Sequence, residues 1–203
     1  MRQHSSVGLT VSGTIILFGM ICLVGGRSVV LGIEGYEPVW HHNAKVVAAA
    51  HRGRFSRLIG RPLVGGWVMW DIDRHLWFAD GPVILGFGDS NVEITHRKFD
   101  ECAITWDQVD MSIPLDWYGS GLRLDWRDGA HPALSAVTGS CLREVNVIER
   151  IMPSTWRPRV LDAIELLFDG GRLTVYNALD ENGLSGAPDV TWPFGFWRRV
   201  PIA

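Results

Sequence analysis

Apolar and polar positions alternate with a period of two through the C-terminal half of the chain. Ile164, Leu166 and Phe168 share one face of an extended segment whose other face carries Glu165 and Leu167. Asp169-Gly170-Gly171 interrupts the run, and Leu173 and Val175 then alternate with Thr174 and Tyr176. This pattern predicts a β-hairpin. The tight turn needs positive φ, which Gly, Asn and Asp reach at low cost. The same pattern occurs earlier: Val83, Leu85 and Phe87 alternate with Ile84 and Gly86, a Gly-Asp-Ser-Asn turn follows, and Val92 and Ile94 alternate with Glu93 and Thr95. One offset of 81 positions carries Val83 onto Ile164, Leu85 onto Leu166, Phe87 onto Phe168, Val92 onto Leu173 and Ile94 onto Val175. An internal duplication is the expectation, with units near residues 58–139 and 140–203.

Further strands are expected over residues 67–72, 76–78, 103–106, 122–126 and 142–150, separated by turns at Asp73-Arg74-His75, Asp80-Gly81-Pro82, Arg127-Asp128-Gly129 and Asp180-Glu181-Asn182-Gly183. No segment after Leu58 keeps a helical period beyond two turns. The predicted fold is therefore an all-β sandwich or barrel-like domain over residues 58–203. Pro193 makes the aromatic C-terminal run an edge strand or a loop, with Phe194, Phe196 and Trp197 expected to cover an open end of the core.

The N-terminal region reads differently. Residues 1–33 form a hydrophobic segment. From Val7 through Gly26 no residue is charged, and a run of about 20 such residues is long enough to cross a bilayer as a helix. A membrane anchor, a secretory signal and a set of buried strands all fit this composition. Lys45, Arg52, Arg54, Arg57 and Arg61 follow with no acid between Glu37 and Asp71. An anchored chain would therefore keep its globular part in the cytoplasm, where a chain without an anchor is also expected. Residues 34–57 read as a linker, with a helical turn at the Ala-rich run 44–50.

Composition narrows the function classes. The net charge of -3 lacks the basic excess of a nucleic-acid binder. Ten tryptophans against three tyrosines suit both sheet packing and aromatic binding surfaces. The three cysteines, Cys22, Cys102 and Cys141, lack metal-ligand spacing, and reduced, buried thiols are expected. His41 and His42 are adjacent, with no further ligands nearby in sequence. No metal or cofactor site is expected.

Two constellations carry candidate chemistry. An apolar strand running into Gly-Asp-Ser, at Gly86 to Asn91, resembles the nucleophile block of the GDSL/SGNH hydrolases, and Asp128-Gly-Ala-His131 matches that family's Asp-x-x-His block. The resemblance implies acyl transfer, with Ser90 as nucleophile, His131 as base and Asp128 orienting it. Against it, the chain lacks the family's alternating α/β order, and the duplication makes the same residues a hairpin turn. The second constellation is acidic and aromatic. Asp71 and Asp73 share a strand face, and Trp70, Trp77, Trp117 and Trp126 stand beside carboxylates. A carbohydrate or peptide surface could use both. The leading expectation is a non-catalytic binding or protein-interaction module that sequesters a protein partner. A serine hydrolase and a membrane-tethered carbohydrate or peptide binder are the alternatives.

Overall fold

The computed structural model describes residues 22–24, 27–152, 159–187 and 196–203. The chain is mostly β, in three antiparallel sheets without barrel closure. The smallest contains β1 (Cys22–Val24), β2 (Arg27–Val30) and β3 (Ile33–Glu34). The first large sheet contains β4 (Gly65–Asp71), β5 (Leu76–Trp77), β6 (Val83–Gly86), β7 (Asn91–Arg97) and β8 (Glu101–Trp106), in the order β5-β4-β6-β7-β8. Strand β9 (Leu124–Asp128) also pairs with β4. The second large sheet contains β10 (Leu142–Ile151), β11 (Arg159–Phe168), β12 (Gly171–Asn177), β13 (Asn182–Ser185) and β14 (Phe196–Pro201), in the order β13-β12-β11-β10-β14. Helices α1 (Ala44–Leu58) and α2 (Pro132–Ser135) complete the fold.

The two large sheets face each other across one apolar core. Val83, Leu85, Val92, Ile94 and Ile104 of the first pack with Val145, Val147, Ile164, Leu166, Leu173 and Val175 of the second. Phe87 and Phe168 stack across the gap at 6.5 Å with an interplanar angle of 6°. The first sheet is covered on its other face as well. There Met69 and Ile84 meet Ile33, Tyr36, Val109 and Leu124. Residues Val83 to Gly86 are consequently all buried, which explains why that strand is apolar on both faces. Trp67 lies over the Gly65–Gly86 cross-strand pair. A Cβ at either glycine would come within 2.5 or 2.8 Å of its ring.

The hairpins have the same cross-strand register. Val83 faces Ile94 and Leu85 faces Val92, while Ile164 faces Val175 and Leu166 faces Leu173. The offset of 81 does not extend to the flanking strands. Trp67 lies opposite Ile84, whereas Ile148 lies opposite Ala163 rather than Glu165.

The N-terminal expectations need amendment. Of the uncharged run, residues 7–21 and 25–26 lie outside the described residues, and Cys22–Val24 form a strand paired with β2. Among the described residues no helix is long and apolar enough to cross a membrane. Where the sequence suggests a linker, residues 44–58 form a 15-residue helix. Asn43 caps it, its side-chain oxygen accepting from Lys45 N at 2.9 Å and Val46 N at 3.4 Å. Ala44, Val47, Ala48, Phe55 and Leu58 pack into the main core. At the other terminus, β14 is an edge strand as expected, but Phe196 is 73% exposed and covers no core; Phe194 lies outside the described residues. Cys102 is a buried free thiol, and Cys141 is free and half-buried.

Polar ties also join the layers. His41 and Cys102 exchange backbone hydrogen bonds of 2.9 and 3.0 Å, fastening the segment before α1 to β8. Asn182, 1% exposed, joins the two large sheets. Its backbone N–H donates to Ala79 O at 3.0 Å, its amide donates to Gly81 O at 2.8 Å, and its carbonyl accepts from His96 N at 2.9 Å. Removing a buried partner strands the groups that faced it, at about 1–3 kcal/mol each. Asn182→Ala is therefore expected to destabilise the fold by about 3 kcal/mol, lowering Tm by about 10 °C for a chain of this size. Calorimetry checks this, and a loss below about 1 kcal/mol would rule out the amide as a structural tie.

Candidate functional site

Among the described residues, a cavity of about 630 Å³ lies at one end of the first large sheet. Its walls come from segments far apart in sequence: Tyr36 to Trp40, Asp80, His96 and Arg97, Trp117 and Tyr118, and Asp180. The first wall is a strap tied at both ends. Gly35 N donates to Ser28 O at 2.9 Å, Glu37 N donates to Gln108 Oε1 at 3.0 Å, and the His41–Cys102 pair holds the far end. Tyr118 presents its hydroxyl to Leu31 N at 2.8 Å.

His96 is the chemically distinctive member. It is 2% exposed. Asn182 Oδ1 accepts from its backbone N–H and lies 3.1 Å from Nδ1. The Asn182 amide orientation is fixed because its nitrogen donates to Gly81 O and to Thr95 Oγ1. Nδ1 must therefore carry the proton, which leaves Nε2 as an acceptor lone pair. Nε2 is buried without a hydrogen-bond partner. Burial depresses the ring to about 4 against a partial upward pull from Asn182, so His96 is a neutral acceptor near neutral pH.

The other polar groups of the cavity are mostly acidic. Burial and the charges of Glu181 and Asp180 push the Asp80 carboxyl up. Asp180 has a left-handed backbone, φ 86°. Asn177 Oδ1 steadies this turn by accepting from Leu179 N and Asp180 N, and Asp180 Oδ1 accepts from Lys98 N. Among the described residues, Arg97 is the one Lys or Arg of the lining, and it is already committed. Its guanidinium lies 3.9 Å over the Trp40 ring and its Nε donates to Glu101. Burial opposes ionisation of Glu101, yet Lys98 and Arg97 hold its carboxyl below the ordinary value. The cavity thus gathers Glu37, Asp80 and Asp180 beside aromatic residues and the enclosed His96 ring.

The residues singled out in the sequence lie elsewhere, apart from Trp117. Ser90 sits in the β6–β7 turn and donates to Asp107 Oδ2 at 3.3 Å. His131 caps α2, its Nδ1 accepting from Ala133 N at 3.2 Å, and packs edge-on against Trp77. Asp128 Oδ1 accepts from Gly66 N at 2.9 Å. None of these three side chains bonds another of the three. Asp71 is buried and its Oδ1 accepts from Asp73 N and Arg74 N, while Asp73 pairs with Arg123 at the surface. Trp70 and Trp77 face each other across β4 and β5. They and Trp126 are half-buried against the cores. Trp117 lines the cavity and meets Phe78 edge-on at 4.7 Å. His42 lies 3.2 Å from Asp100. Among the described residues, no group of three His, Cys, Asp or Glu side chains is placed to hold a metal ion.

Comparison with known proteins gives no match: no family model, no curated protein and no solved structure resembles the chain.

Sequence reasoning missed His96, Asp80 and Asp180. Asp80 and Asp180 fall in sequence patterns that read as turns, and no motif spacing marks His96. A second neutral imidazole, His51, accepts from Trp106 Nε1 at 3.1 Å and is likewise depressed to about 4, by burial and then by His41 and Arg54. For both histidines the stabilisation is complete above the unfolded value of 6.5 and is lost as pH falls toward 4. Asp162 acts in the opposite sense. Burial outweighs Arg150 and raises it to about 6 from 3.8, so its contribution is lost as pH rises through that interval. Comparing variants separates these terms. Relative to the native chain, His96→Gln is expected to flatten the fall in unfolding free energy between about pH 6.5 and 4 by up to about 1.4 kcal/mol per pH unit. Denaturant titrations across that range check it, and parallel curves for the two proteins would refute it.

Proposed function

We propose that the protein is a non-catalytic binding module whose cavity receives a basic side chain from a protein partner. The observation that carries this reading is the gathering of three carboxylates, Asp80, Asp180 and Glu37, around one cavity lined by Trp40 and Trp117. A lysine ammonium or arginine guanidinium supplies donors and positive charge together, and would offset the burial and the like charges that raise Asp80. Trp117, and Trp40 beside the Arg97 guanidinium that lies over it, provide aromatic surface for the aliphatic stem. The open shape suits a chain segment passing over the surface better than an enclosed metabolite. A hydrolase using Ser90, His131 and Asp128 lacks comparable support, since each of those side chains is occupied by a different structural hydrogen bond.

Short neutral-capped peptides with a central Arg, Lys or Glu test the proposal by NMR titration. The Arg and Lys peptides are expected to shift the Trp40 and Trp117 indole signals, while the Glu peptide does not. Asp80→Asn combined with Asp180→Asn is expected to weaken binding about tenfold, equivalent to about 1.4 kcal/mol. Equal binding of the acidic and basic peptides, or shifts confined to other surfaces, would refute this ligand class.

A further inference from the structure

We propose that the solvent face of α1 docks on an anionic phospholipid surface. Helix geometry at 3.6 residues per turn separates its two sides. Ala44, Val47, Ala48, Phe55 and Leu58 face the core. The outward arc has a strip of small apolar residues, Val46, Ala49 and Ala50, with Val46 49% exposed. Lys45 and Arg52, two turns apart on one margin, and Arg57 on the outward arc supply exposed positive charge around that strip.

Among the described residues, Lys45 and Arg52 stand clear of acids, while Arg57 donates its Nε to Gly53 O at 3.1 Å and shares a recess with Asp89 and Asp107. No Asp or Glu occurs between Glu37 and Asp71, and Lys45 and Arg52 form no ion pair among the described residues. The neighbouring cations are otherwise engaged: Arg54 stands 5.4 Å from the centre of the Trp106 ring, and Arg61 pairs with Asp89 at 2.6 Å. A helix with a shallow apolar strip and long basic side chains beside it suits the boundary between headgroups and acyl chains. There the stems lie along the surface and the cations reach lipid phosphates and carboxylates. A nucleic acid would use the charges and leave the apolar strip without a counterpart, and the chain's net charge of -3 disfavours it further. Three basic groups and a few small side chains give reversible attachment that depends on anionic lipid and weakens with salt. The uncharged stretch from Val7 through Gly26 precedes this helix in the sequence. Insertion by that stretch would need no anionic lipid, so the two modes are separable.

The test is flotation of the full-length chain with phosphatidylcholine vesicles, with and without phosphatidylserine. Binding is expected only with phosphatidylserine, declining as salt is raised. Lys45→Glu, Arg52→Glu and Arg57→Glu together are expected to weaken it by about tenfold or more, with an unchanged circular dichroism spectrum. Should that variant misfold, the corresponding triple Gln variant serves, with a smaller loss in the same direction. Equal binding to neutral vesicles, binding unaffected by the substitutions, no binding to either vesicle, or tighter binding to duplex DNA would each overturn the proposal.

Discussion

The buried amide of Asn182 is the polar constraint on which the arrangement of the two large sheets turns. Apolar contact between two sheets is strong but weakly directional, and it tolerates sliding. A buried amide is specific because each of its donors and acceptors must find a partner. Asn182 begins β13 at the edge of one sheet and satisfies itself on Ala79, Gly81, Thr95 and His96 of the other. Its contacts fix the relative position of the sheets where hydrophobic burial alone would leave them loosely registered. They also set the tautomer of His96, so one side chain orients the scaffold and determines the character of the site.

The cavity is built from turns around that tie. Asp80 precedes Gly81, which accepts from Asn182; Asp180 belongs to the turn that leads into Asn182; His96 and Arg97 end the strand that Asn182 bonds. A binding surface assembled from loop tips over a rigid pair of sheets is a common division of labour. The left-handed backbones at Leu179 and Asp180 are strained for side chains other than Gly, and Asn177 and Lys98 hold that turn in place.

Much of the scaffold was legible in the sequence because strand alternation is a local signal. The hairpins around Asp169-Gly170 and Gly88-Asp89 appear where the period-two pattern and its turn residues placed them. The helix was only partly legible. Its apolar spacing at Ala44, Val47, Ala48, Phe55 and Leu58 is helical, but Gly53 and a run of basic residues obscure the second half, and tertiary packing rather than propensity sustains it. The second cover of the first sheet was also missed, although the unbroken apolar run from Val83 to Leu85 was its signature. The site was the least legible part. Asp80, His96 and Asp180 have no shared spacing and meet only through the fold, whereas Ser90, Asp128 and His131 have a suggestive spacing and bond to separate structural partners.

The bridge between His41 and Cys102 closes the outer edge of the first large sheet. Strand β8 ends the order β5-β4-β6-β7-β8, and its backbone groups at Cys102 would otherwise stand open to another strand. The strap therefore acts as a guard against edge-to-edge pairing at that point. The Cys102 side chain itself turns into the main core, where burial raises its thiol above the ordinary value.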